Sequence, residues 1–135
     1  MFKASVAMLL LAGGLVCSQV VQAAEPLTLE RTMKTMGFAF KQASEAANPA
    51  AALPHLEKLH RLTHDAKRAP MPTDKADVFQ EGLDKVLAEL TLAKQAAAAD
   101  DAVKLQQHLA AVEQLKKRYH KERRFSFWQL IFGKV

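Results

Sequence analysis

The stretch Leu105–Arg124, LQQHLAAVEQLKKRYHKERR, decides how the chain folds. Its apolar residues Leu105, Leu109 and Val112 recur at spacings of three and four, the period of one face of an α-helix. His120 falls on that face, near the C-terminal end of the helix. A second helical stretch, LTLERTMKTMGFAF at Leu27–Phe40, carries Met33 near its start. One imidazole and one thioether, at the two ends of an otherwise unreactive helical chain, suggest a metal held by borderline and soft ligands.

Four segments read as helices and none as a strand. The first spans about Leu27 to Ala47, entered through Pro26, with Leu29, Met33, Met36, Phe40, Ala43 and Ala47 as a single core-facing stripe. Asn48-Pro49 ends it, because the residue before a proline is pushed out of helical geometry. The second runs from about Ala50 to Ala69, with Leu53, Leu56, Leu59, Thr63 and Ala66 inward and Pro54 in its first turn. Pro70-Met71-Pro72 then stops the chain. Thr73 or Asp74 caps a third helix from about Lys75 to Ala98, whose stripe is Phe79, Leu83, Val86, Leu87, Leu90, Ala93 and Ala97. Asp100-Asp101 supplies a tight turn and the N-cap of the fourth helix, which runs to Arg124 or beyond. Short connections make sequence neighbours antiparallel, so the expected fold is all-α, an up-down-up-down antiparallel four-helix bundle. In that topology the start of the first helix and the finish of the fourth share one end of the bundle. Met33 and His120 lie at similar distances from those two helix ends, and at about 1.5 Å of rise per residue they reach nearly the same height.

Residues 1–23 are set apart. Lys3, the apolar run Val6–Val16 and the small-residue site Val21-Gln22-Ala23 form the pattern of a secretory signal peptide, cleaved after Ala23. A lipid anchor at Cys17 is disfavoured, because Val16 is larger than the small residue expected before a lipidated cysteine. Cleavage removes the only cysteine, so the mature chain has neither a disulfide nor a Cys-x-x-Cys-His site for covalent haem. The implied address is the periplasm. The net charge of +5 collects late, in Lys116-Lys117-Arg118 and Lys121–Arg124, where it suits a helix C-terminus, an acidic partner or anionic lipid. A nucleic-acid partner is not expected with this leader. There is no nucleophile–base set and no glycine-rich phosphate loop, so hydrolase and nucleotide-binding classes have no support.

From Ala24 to Arg124 the chain resembles the cytochrome b562 family. Leu29-Glu30-x-x-Met33-x-Thr35 is similar to the family's opening helix. Phe79-x-x-Gly82 is similar to the start of its third, and the pattern then runs without a gap to Tyr119-His120. The resemblance implies one non-covalent b-type haem with Met33 and His120 as axial ligands to iron. Phe40, Phe79, Leu83 and Val86 would wall the porphyrin, and Lys116 and Arg124 would stand near its propionates. Met36, one turn further in, fits pocket lining. A Met/His pair saturates the iron and raises its potential, which implies an electron carrier exchanging single electrons with redox partner proteins, as a monomer, rather than an enzyme. The connector between helices two and three is shorter than the family's, and Lys116 replaces an expected arginine.

Two features stand outside that resemblance. His60 and His64 share a face four residues apart and could hold a divalent metal, with Asp65 or a distant His108 as the further ligands available; exposed histidines are the plainer account. Residues 125–135, FSFWQLIFGKV, form an aromatic and basic tail too short to span a bilayer. It extends helix four over the bundle end, makes a dimer contact, or lies peripherally on a membrane through Phe125–Phe132; the last is slightly favoured. A haem-free periplasmic helical module that binds envelope proteins, lipid or metal is the alternative function for the same bundle.

Overall fold

The computed structural model describes residues 28–71 and 74–132, with side chains described as far as Lys121. The leader, Pro26, Leu27, Thr73 and the side chains of Arg124 and Phe125–Phe132 lie outside the described residues. Four helices follow one another: α1 Leu29–Glu45, α2 Pro49–Arg68, α3 Ala76–Ala98 and α4 Ala102–Phe132. No strand occurs among the described residues, and the expected four-helix bundle is the fold observed.

Side chains fix most of the helix ends. Thr28 caps α1, its hydroxyl accepting from the Arg31 amide at 3.3 Å. Asn48 caps α2, accepting from the Ala51 amide at 2.8 Å, with Pro49 at the first helical position. Asn48 is thus the beginning of α2, and α1 has already ended at Glu45. Pro54 sits in the second turn of α2 and not the first, where it removes a hydrogen bond to the Ala50 carbonyl. Ala50 is exposed, so water can satisfy that oxygen. Asp74 does not cap α3: Lys75 holds the cap position, without a side-chain hydrogen bond.

The α3–α4 turn matches its expectation in detail. The Asp101 amide donates to the Ala96 carbonyl at 2.9 Å and the Asp100 amide to that of Ala97 at 3.2 Å, the paired bonds of a Schellman motif. Asp100 holds the left-handed position with φ of 56°. The Asp101 carboxylate then accepts from the Lys104 amide at 3.0 Å and caps α4.

Close packing joins α1 to α2, α2 to α3 and α3 to α4, but no comparable seam joins α1 to α4. The helices α2 and α3 are an inner pair, with α1 and α4 as flanks. Alanines 39, 43, 52, 93, 96 and 97 are buried with Leu56, Leu59, Leu90, Leu105 and Leu109 in one core, and such small side chains let helix axes approach closely. The single stripe expected on α1 is in fact two. Thr32, Ala39 and Ala43 are buried in the core, whereas Leu29, Met33, Met36 and Phe40 are only half-buried, and Ala47 is exposed beyond the helix.

Because Asp100 pays the left-handed penalty of a residue with a Cβ, Asp100→Gly should raise stability by about 1 kcal/mol. The urea midpoint should rise with an unchanged slope.

Candidate functional site

The half-buried stripe of α1 faces a cavity of about 400 Å³. The first half of α1 contributes Leu29, Met33, Met36 and Phe40, the first half of α3 gives Phe79, Gly82, Leu83 and Val86, and α4 gives Val112, Leu115, Lys116, Tyr119 and His120. Leu59 of α2 closes the floor. Antiparallel succession brings these stretches to one end of the bundle, where the α1–α4 seam stands open. The Gln80 amide locks the α2–α3 connection beside it, donating to the Lys67 carbonyl at 2.8 Å and to Met71 Sδ at 3.6 Å. Lys67 also pairs with Asp84 across the two helices.

The site therefore brings together Met33, His120, Phe40, Phe79, Leu83 and Val86, all singled out in the sequence. The route to that meeting differs from the one expected. Helix α4 does run beyond Arg124, to Phe132, so His120 lies further from its end than expected. The two residues meet because α4 passes the mouth of the cavity, not because both sit near helix ends. His120 is also off the buried stripe. Leu105, Leu109 and Val112 continue into Tyr119, only 9% exposed, and His120 is exposed at the rim.

Polar groups gather at that rim. Lys116 lies 2.7 Å from the Glu113 carboxylate and 5.2 Å from the centre of the Phe40 ring. Its hydrogen bond and charge hold the Glu113 carboxyl below the usual carboxylate range. On the outer face of α3, the hydrogen bond between Glu81 and Lys85 lowers the carboxyl and raises the ammonium. The buried Tyr119 hydroxyl is directed at that pair, adding to the lowering of Glu81 and the raising of Lys85, but makes no hydrogen bond of normal geometry among the described residues. A buried hydroxyl without a well-formed hydrogen bond is destabilising, while the ring that carries it lines the cavity. A thioether and an imidazole on one apolar slot suit a large flat ligand with a metal at its centre.

Gly82 and Tyr119 are what sequence reasoning underused. A Cβ at Gly82 would meet the Tyr119 ring at 2.8 Å, so glycine is required for the ring to lie against α3. The available signal was a glycine in a helix interior, which has a packing reason when it has one at all.

His60 and His64 of α2 and His108 of α4 stay apart from this site. His60 and His64 pack edge to face at 5.0 Å, and His60 Nε2 lies 3.5 Å from the Thr91 hydroxyl. His108 pairs instead with Glu89 at 2.7 Å, and Asp65 with Arg68. Among the described residues no group of three metal-binding side chains forms. Burial first, then the charges of Lys94 and His64, lower the His60 pKa below its ordinary 6.5. The neutral ring is the folded form, so its contribution is present above that ordinary value and lost as pH falls.

The family described as cytochrome b562 matches residues 28–124. A search of curated proteins gave no match.

Two substitutions test the wall. Gly82→Ala should lower stability by about 1–2 kcal/mol, because overpacking against a ring outweighs the gain in helix propensity of about 1 kcal/mol. Tyr119→Phe should leave the haem-free protein as stable or more stable by up to about 1 kcal/mol, since it removes a hydroxyl without a well-formed hydrogen bond. Chemical denaturation of both variants reads these signs.

Proposed function

Because the chain belongs to the cytochrome b562 family, an electron-carrier family and not an enzyme family, we propose that it is a b-type cytochrome holding one non-covalent haem between Met33 and His120. The observation that carries this reading is the sharing of one apolar cavity by these two side chains, from helices whose own seam is open. When bound, the haem supplies a one-electron couple, and Met/His ligation sets that couple at the higher end of the range.

The chain's own residues bind, orient and exclude water. His120 offers a neutral imidazole nitrogen from the rim, and Met33 offers its thioether from the opposite flank. Phe40, Phe79, Leu83 and Val86 keep solvent from the slot, which favours the less charged oxidation state. The Tyr119 ring completes the apolar wall between α3 and α4. Lys116 at the mouth, and Arg124 one turn beyond His120 in sequence, supply positive charge for carboxylates. With both ligand positions of the metal taken by protein, no place is left for a substrate, so the role is electron exchange with redox partner proteins. The setting we assign is the periplasm: residues 1–23 carry the secretory pattern, and the family is typically periplasmic.

The test is the visible spectrum of the protein, oxidised and then reduced with dithionite, with haem supplied if it purifies colourless. Sharp α and β bands on reduction, unmoved by carbon monoxide, are expected. His120→Ala should weaken haem binding by at least about 100-fold, more than the usual loss on removing a group that only supports a ligand. Met33→Ala should keep haem, admit carbon monoxide and lower the potential. Failure to bind haem at all would remove the reading.

A further inference from the structure

Helix α2 carries a pair of imidazoles that the cavity does not use. His60 and His64 stand four residues apart, one turn above the other on the same face. His60 is half-buried and His64 exposed, and neither lines the cavity. The backbone between them is well anchored. Leu59 and Thr63 are fully buried, and the Thr63 hydroxyl donates to the Leu59 carbonyl at 2.7 Å.

The separation of the two rings is that of a chelating pair. Zinc lies about 2.0–2.1 Å from an imidazole nitrogen, and hence roughly 3.2 Å from the ring centre. Two such rings, at a bond angle between about 90° and 109°, have centres roughly 4.5–5.2 Å apart. The observed centres are 5.0 Å apart, with the ring planes inclined at 67°. Rotation of the rings about their own side-chain bonds can therefore aim both at one ion without moving the helix.

The surroundings select the kind of ion. On the α3 side the Thr91 hydroxyl gives its proton to the Leu87 carbonyl at 2.9 Å and stands 3.5 Å from His60 Nε2. Its oxygen lone pair is left for the ring or for a water on the ion. No third protein ligand joins the pair among the described residues, because Asp65 is held by Arg68 and His108 by Glu89. Lys94 lies within electrostatic range of His60. A hard cation such as calcium or magnesium, which needs several oxygen ligands, finds none here and is repelled by that ammonium. An ion held by nitrogen donation tolerates one nearby charge, and copper(II) binds nitrogen ligands more strongly than nickel(II) or zinc(II) does.

From the ring separation and this donor set we infer that His60 and His64 form a two-imidazole site for a late divalent transition ion, copper(II) above nickel(II) and zinc(II). Water fills the remaining positions, so the ion is exchangeable. The inference does not rest on the haem reading, since the two sites share no residue.

The experiment is calorimetric titration of the mature, oxidised protein with copper(II), nickel(II), calcium and magnesium salts in a non-coordinating buffer. Electron paramagnetic resonance then reads the copper(II) ligands. Copper(II) should bind saturably and show coupling to two imidazole nitrogens, nickel(II) should bind more weakly, and calcium and magnesium should not bind. His60→Gln and His64→Gln should each weaken copper(II) binding by at least about 10-fold, the lower end of the loss on removing even a group that only supports a ligand. His55→Gln should leave it unchanged, and Lys94→Gln should tighten it. Only the folded helix brings the rings together, so copper(II) should raise the urea midpoint of the wild-type protein by more than that of the His64→Gln variant. The visible spectrum of the His64→Gln variant should match that of the wild type, which separates this test from that of the haem site. Equal copper(II) affinity in the wild type and both glutamine variants overturns the inference. So does a copper(II) signal with one nitrogen, or calcium binding as strong as that of copper(II).

Discussion

The site depends on a seam that does not close. Three short connections oblige each helix to pack against its neighbour in sequence, which leaves α1 and α4 as flanks on the inner pair α2–α3. At one end of the bundle, alanines let the helices settle together. At the other, Met33, Met36, Phe40, Phe79 and Tyr119 are too bulky to leave room for close approach, and a cavity remains. Packing that would be a defect in a bundle of this size becomes a slot with a thioether on one lip and an imidazole on the other.

Within that slot, one contact between α3 and α4 sets the geometry. The Tyr119 ring lies where a Cβ at Gly82 would be, which draws α4 against α3 one residue before His120. The ring holds α4 in rotation, so the imidazole that follows is turned away from the core and toward the rim. Burial of the ring traps its hydroxyl without a well-formed hydrogen bond. Stability and site formation pull in opposite directions at this one residue, as is common where a ligand completes a fold.

Much of this was legible in the residues. The three- and four-residue spacing located four helices, and Asp100-Asp101 announced a tight turn and the cap. Met33 and His120 were brought together by topology, and Phe79 and Leu83 by their stripe. What periodicity could not give was the distance between neighbouring faces. It marks residues as apolar without saying whether a helix or a cavity lies opposite, so the α1 stripe was read as one surface when Thr32, Ala39 and Ala43 meet the core and Met33, Met36 and Phe40 meet the slot. Small polar groups near helix starts were also ambiguous. Thr28 caps α1 and Asp74 does not cap α3, a difference set by backbone angles that composition leaves free. For α4, the basic run resembled a helix end, and the helix continues through it.

The inner-pair arrangement has a consequence for how a bulky ligand gets in. Each outer helix has one close seam, α1 with α2 and α4 with α3, whereas each inner helix has two, so detaching an outer helix breaks fewer contacts than detaching an inner one. Local unfolding follows such differences, with the least-secured element opening at the lowest free energy. A swing of α1 about the short Ala46–Asn48 connection would open the wall that carries the thioether. Loading can then proceed by a brief swing of α1 while the other three helices stay assembled.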